Sequence, residues 1–175
     1  MAVELNKNEL KEILLDSYEL ILKIPSPEKT KEGKYEIPSR SKLKNLPEAL
    51  REFEDPEAAV MHFVKSSSYF LPRANTKTEN FTNYLKRMLE DVQKIQKKEK
   101  DPEKVREKIK YLIGYCNWGM DAVCNIFNLK ITDDEIRNRL KSMIGAELKV
   151  LGNSEEVDKI VNDLMKWKAA ESRRQ

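Results

Sequence analysis

Residues Asp101–Phe127 read DPEKVREKIKYLIGYCNWGMDAVCNIF, and this stretch decides the fold. It opens on Asp-Pro-Glu. Asp can cap the first free amides, Pro suits the first helical position because it has no N–H to leave unpaired, and Glu faces the positive end of the helix dipole. Val105, Ile109, Leu112, Cys116, Met120, Val123 and Phe127 then recur at steps of three and four, the spacing of one helical face. Gly114 and Gly119 each weaken such a helix by about 1 kcal/mol against Ala, and are candidates for a kink or a close helix crossing.

The same grammar extends both ways from this helix. Upstream, Thr78–Lys98 carries Phe81, Tyr84, Leu85, Met88, Val92 and Ile95 at helical spacing. Asp55-Pro56-Glu57 repeats the start signal ahead of Val60, Phe63, Val64 and Phe70, with Pro72 as the stop, and a short helix is expected over Pro47–Glu54. The first helix is expected over Glu4–Leu22, with Leu10, Ile13, Leu14, Tyr18, Ile21 and Leu22 on its apolar face. Downstream, Thr132-Asp133-Asp134-Glu135 is a capping box, followed by Ile136, Leu140, Met143, Ile144 and Leu148, with Gly152 placed to end the helix. Ser154-Glu155-Glu156 starts a last helix bearing Val157, Ile160, Val161, Leu164 and Trp167.

Lys23–Asn45 breaks the pattern. It is polar, Pro-bearing and aperiodic, and reads as an extended or mobile linker. No period-2 run or Asn-Gly turn argues for strands. The sum is one all-α domain over residues 1–175, a compact bundle of about five main helices plus a short helix, with linker 23–45 within it and a tail, 171–175, expected to fray.

Composition bounds the function. The chain has 175 residues, 36% of them charged, and a net charge of only +3. One His and two Cys cannot supply a multi-His or four-ligand zinc site. No apolar run approaches the roughly 20 residues of a membrane span, and no secretory signal pattern opens the chain, so a cytoplasmic protein without a membrane partner is expected. His62 lacks a visible orienting acid and reads as a structural or surface residue. Cys116 and Cys124, eight apart, are separated by about 80° and about 12 Å on a helix, too far for a mutual disulfide, and read as core thiols. The acids Asp133-Asp134-Glu135 fit dipole complementarity better than a cation site. No Gly-rich phosphate loop is present, and neither a metal nor a cofactor is expected.

Two features remain. Tyr111, Tyr115 and Trp118 can stack on unpaired bases or fill a core, and the core is the favoured place for Trp118. Between Lys86 and Lys110 there are ten Lys/Arg against six Asp/Glu. Arg87, Lys94 and Lys98 share a helical face there. Such a face fits a phosphate-tracking row or a solvated surface laced by Glu–Lys pairs, and the sequence leaves both open.

TNYLKRMLEDVQKI (Thr82–Ile95) and KIKYLIGY (Lys108–Tyr115) together resemble the small helical subunit of type III-A CRISPR effector complexes. In that family a Thr-Ser-Gln-Ile-Arg-type helix start precedes a Lys-x-x-Tyr-x-x-Gly-Arg-type helix. Here Thr82 and Asn83 sit at the Thr-Ser positions and Lys86 at the basic one, while Lys108, Tyr111 and Gly114 match the second stretch. Tyr84 replaces the amide residue, Lys86 replaces Arg without its bidentate fork, and Tyr115 stands at the second Arg position. The resemblance spans roughly Asp55–Gly152. It implies a non-catalytic, RNA-binding assembly subunit working in antiviral defence. Copies would self-associate, stack among other effector subunits and hold the target RNA backbone without reading sequence. Lys86, Arg87, Lys94, Lys108 and Lys110 are then the phosphate-contacting candidates, joined by Lys98 on the same basic face, with Arg137, Arg139 and Lys141 as a second group. The first rival is a helical protein–protein adaptor that binds no nucleic acid. The second is a small enzyme or redox protein using Cys116 or Cys124.

Overall fold

A computed structural model describes residues 4–23, 27–36, 55, 58–59, 61–62 and 76–173, with the side chains of 28, 76–83, 85 and 171–173 excepted. Its described residues form five helices and one small hairpin: α1 (Lys7–Leu22), β1 (Glu28–Lys29), β2 (Tyr35–Glu36), α2 (Thr76–Lys98), α3 (Pro102–Phe127), α4 (Asp133–Val150) and α5 (Val157–Arg173). The chain is all-α in class, as its periodicities predict. The expected short helix Pro47–Glu54 lies outside the described residues; of the segment beginning at Asp55, residues 58–59 and 61–62 are helical.

The helix boundaries follow their caps. Asp101 accepts from the Glu103 amide at 3.0 Å with Pro102 directly behind it. Thr132 and Glu135 exchange side-chain and backbone bonds as a capping box should. Gly152 ends α4 at φ +82°, where a side chain would be strained. A second capping box, Asn6 with Glu9, starts α1; it has the same x-x spacing and was equally available in the sequence.

α3 is the axis. α1 lies parallel to it, with Glu9 meeting Lys104 and Lys108 at one end and Tyr18 and Ile21 meeting Gly119 at the other. A Cβ on Gly119 would sit 3.1 Å from the Ile21 Cδ1, so this glycine permits the close crossing that its position suggested. α2 packs antiparallel to both, bringing Tyr84, Met88 and Val92 into the core. α4 packs on α3 and pairs antiparallel with α5, which also meets α1; Lys168–Asp133 and Lys141–Asp158 tie α4 to α5. The seven-residue stripe that defined α3 is buried throughout, from Val105 to Phe127.

Of linker 23–45 the described residues are Lys23 and 27–36: Lys23 caps α1, and β1 and β2 pair antiparallel with Gly33 at φ +83° in the turn, an extended segment with a local order that the sequence did not suggest. The pair is held by side-chain chemistry from afar. The Asn128 amide accepts from the Tyr35 N–H at 2.7 Å and donates to the Tyr35 carbonyl at 2.9 Å, while the Tyr35 ring packs edge-on against Phe127. At the other terminus α5 continues to Arg173, and residues 174–175 of the tail lie outside the described residues.

Candidate nucleic-acid interface

The basic stretch folds into two surfaces that differ in how free their cations are. On α2, Lys86, Arg87, Lys94 and Lys98 are exposed. Arg87 reaches Glu90 at 3.0 Å within its own helix, and Lys98 reaches Glu12 of α1 at 3.7 Å. Exposed pairs of this kind contribute about 0–1 kcal/mol, so a phosphate can replace the carboxylate at little cost. Among the described residues, Lys86 and Lys94 make no ion pair. On α3, Lys110 is exposed and pairs with Glu107 at 3.5 Å.

Lys108 is different. Its side chain is only 18% exposed and its Nζ lies 3.1 Å from Glu99 and 3.9 Å from Glu9, which also takes Lys104 at 3.4 Å. Bonding to the Asn6 amide, with help from these lysines, holds the Glu9 carboxyl below its usual range; the Lys108 hydrogen bond does the same for Glu99. Lys108 therefore closes the seam where α1, the end of α2 and the start of α3 meet. Among the phosphate-contacting candidates it differs from the α2 cations in being held by two carboxylates.

The second group sits on α4. Arg137 donates to the Asn162 side chain on α5, and Lys141 pairs with Asp158 at 3.5 Å, so both join α4 to α5. Arg139 is exposed and makes no ion pair among the described residues. α4 packs against α3 and α5, α2 against α1 and α3. The two basic groups thus belong to different helix layers and do not merge into one cluster.

The larger surprise is aromatic. Trp118 is 68% exposed, not core, and Tyr111 is 38% exposed. The three rings form a row along α3, with Tyr111–Tyr115 centroids 5.8 Å apart and Tyr115–Trp118 6.3 Å. Gly114 leaves the indole of Trp118 room to lie back along the helix. Beside this row, α1, α3 and the end of α4 enclose an open groove of about 380 Å3 lined by Leu14, Tyr18, Tyr115, Trp118, Val150 and Glu147 among others. Glu147 accepts a 2.6 Å hydrogen bond from the Tyr18 hydroxyl, and burial holds its carboxyl above the usual range.

Cys116 and Cys124 are buried and form no disulfide, as their separation on one helix implies; burial pushes Cys116 up to about 12, far from a reactive thiolate. Asp16 and Asp91 face each other between α1 and α2, near Lys94 and Lys98, and burial pushes Asp91 up to about 6. His62 is exposed. Among the described residues no three His, Cys, Asp or Glu side chains gather as a metal site requires, and no helix is long and apolar enough to cross a membrane. No family model, no curated protein and no solved structure matches the chain.

Proposed function

We propose that the protein is a non-catalytic, RNA-binding assembly subunit of a CRISPR ribonucleoprotein effector complex, working in the cytoplasm in antiviral defence. The observation that carries this reading is the state of the α2 cations. Lys86 and Lys94 are exposed without ion pairs among the described residues, and Arg87 and Lys98 are held only by exposed pairs. Backbone-directed binding needs cations of this kind, mounted on a rigid helix and free to exchange partners. The two stretches that resemble the type III-A small subunit lie on the consecutive helices α2 and α3, which supports a common RNA-facing region. Weak single-copy affinity suits a subunit that stacks in several copies beside other effector subunits, because repeated contacts multiply.

A salt titration of single-stranded RNA binding tests the proposal. Affinity is expected to fall steeply with salt, and Lys86/Arg87/Lys94→Ala to lower the slope by about 2, at about 0.7 per phosphate contact. RNA binding that is absent from the assembled complex, or indifferent to salt, overturns it. The exposed Trp118 and Val150 favour a second reading, an adaptor that binds proteins and no nucleic acid. In that case substitution of the apolar residues, and not of the lysines, governs which proteins co-purify.

A further inference from the structure

The groove beside Trp118 combines three features that rarely meet on an idle surface. Its rim is exposed and apolar, with Trp118 and Val150, the latter 71% exposed. Its wall is aromatic, from Tyr115 and Trp118. Among its lining residues Glu147 alone carries a charge, and Tyr18 donates to only one of its oxygens, Oε2. Among the described residues no cation pairs with that carboxylate. A part-buried anion with a single hydrogen bond is under-compensated, so the groove is complementary to a cation that can also cover apolar surface.

We propose that this groove accepts an arginine side chain from a protein partner, presented by a segment with apolar residues on either side. Arginine answers each feature. Its planar guanidinium stacks on the indole and phenol rings, its forked N–H groups reach the free Glu147 oxygen, and its methylene stem covers the apolar wall. Lysine offers a strongly hydrated point charge and no plane to stack. The flanking apolar residues would rest on Val150 and Leu151. The inference does not depend on RNA binding by α2, whose cations lie on a different helix.

The test uses the full chain with N-acetyl-L-arginine amide as probe and N-acetyl-L-lysine amide as control, at constant ionic strength. The chain has two tryptophans, so a 1H–15N spectrum has two indole signals, and the Gly119 amide reports from the groove floor. Arginine amide is expected to shift the Trp118 indole and the Gly119 amide at millimolar concentrations while Trp167 stays put. Lysine amide should respond about fivefold more weakly. Glu147→Gln keeps an acceptor for Tyr18 and should abolish the response. Trp118→Leu, at an exposed position, keeps the carboxylate and should weaken the Gly119 response without abolishing it. No shift, an equal response to lysine, or an undiminished response in Glu147→Gln overturns the proposal. So does a short oligouridylate that shifts Trp118 when arginine amide does not, which would assign the groove to RNA bases.

Discussion

Tyr84 is fully buried, and its hydroxyl has only the Cys116 thiol beside it, a weak partner that leaves it without a good hydrogen bond. An unmet buried hydroxyl costs about 1–3 kcal/mol, and replacing it by an apolar group of the same shape removes that cost. Tyr84→Phe should therefore raise stability by about 1 kcal/mol in urea unfolding; a loss of stability would mean that the hydroxyl has a good partner. Asp91 gives a pH-dependent counterpart. Its folded carboxyl, pushed up to about 6 by burial and by Asp16, compares with 3.8 for an ordinary aspartate. A raised carboxylate pKa means that the folded state holds the proton more tightly, so this group's cost is fully present above about pH 6 and disappears as pH falls toward 3.8. Asp91→Asn should raise the Tm at about pH 7.5, with the gain over the parent shrinking by about pH 4.5; a gain that does not change with pH contradicts the assignment. At this scale the sequence was half legible. The stripe from Val105 to Phe127 identifies Cys116 as core, yet Trp118 lies about 200° around the helix from Cys116, on the outer face. That rotation was computable from spacing alone. An aromatic residue embedded in an apolar run simply invites the assumption of burial.

Helix starts were legible because a cap is a local event: Asp101-Pro102 and Thr132-x-x-Glu135 bond within three residues of themselves. The β1–β2 pair was not, because its anchor, Asn128, comes 93 residues after Tyr35 and no local pattern encodes that contact. A two-residue ladder is too short to persist by itself, so the hairpin depends on the Asn128 amide and on the Tyr35–Phe127 contact. Asn128→Ala removes one donor and one acceptor aimed at the Tyr35 backbone. It should cost about 1–3 kcal/mol if both backbone groups are left unmet, or less if water reaches them. Either way the Tyr35 amide should exchange with solvent far faster in the variant while core amides of α3 such as Leu112 keep their protection. Unchanged exchange at Tyr35 would show that the ring contact alone holds the hairpin. The glycines of α3 make the matching test within a helix. A methyl group on Gly114 would meet only ordinary contacts at 3.9–4.0 Å, against 3.1 Å to Ile21 on Gly119. Gly114→Ala should therefore stabilise by up to about 1 kcal/mol, and Gly119→Ala should fall short of that by the cost of moving α1.

Across the whole molecule the cations divide between holding the bundle and facing outward, and this division decides what RNA-binding variants can mean. A net charge of +3 in a chain 36% charged gave little reason to expect a polyanion partner. The fold changes that balance locally, because Glu9 and Glu99 draw Lys104 and Lys108 into the α1–α2–α3 seam, while Lys98 meets Glu12 only in an exposed pair. Lys86 and Lys94 on α2 and Arg139 on α4 stay outside any such pairing among the described residues. Lys108 entered the phosphate-contacting group through the resemblance of Lys108–Tyr115 to a family motif, and a short motif does not report which acids neighbouring helices bring to it. Two variants separate the roles. Lys108→Ala leaves Glu9 and Glu99 facing each other without the cation between them, so it should lower the urea midpoint while leaving the salt slope of RNA binding unchanged. Lys86→Ala and Lys94→Ala together should lower the salt slope by about 1.4. Lys86→Ala alone should leave stability within about 0.5 kcal/mol of the parent, and Lys94→Ala should lower it at neutral pH, where Asp16 and Asp91 lose a neighbouring cation. If Lys108→Ala lowers the slope as much as the double variant does while the protein stays folded, the seam must open on binding and Lys108 rejoins the RNA surface. If neither protein differs from the parent in RNA affinity, the outward lysines serve solubility, and the groove beside Trp118 becomes the surface through which this bundle finds its partners.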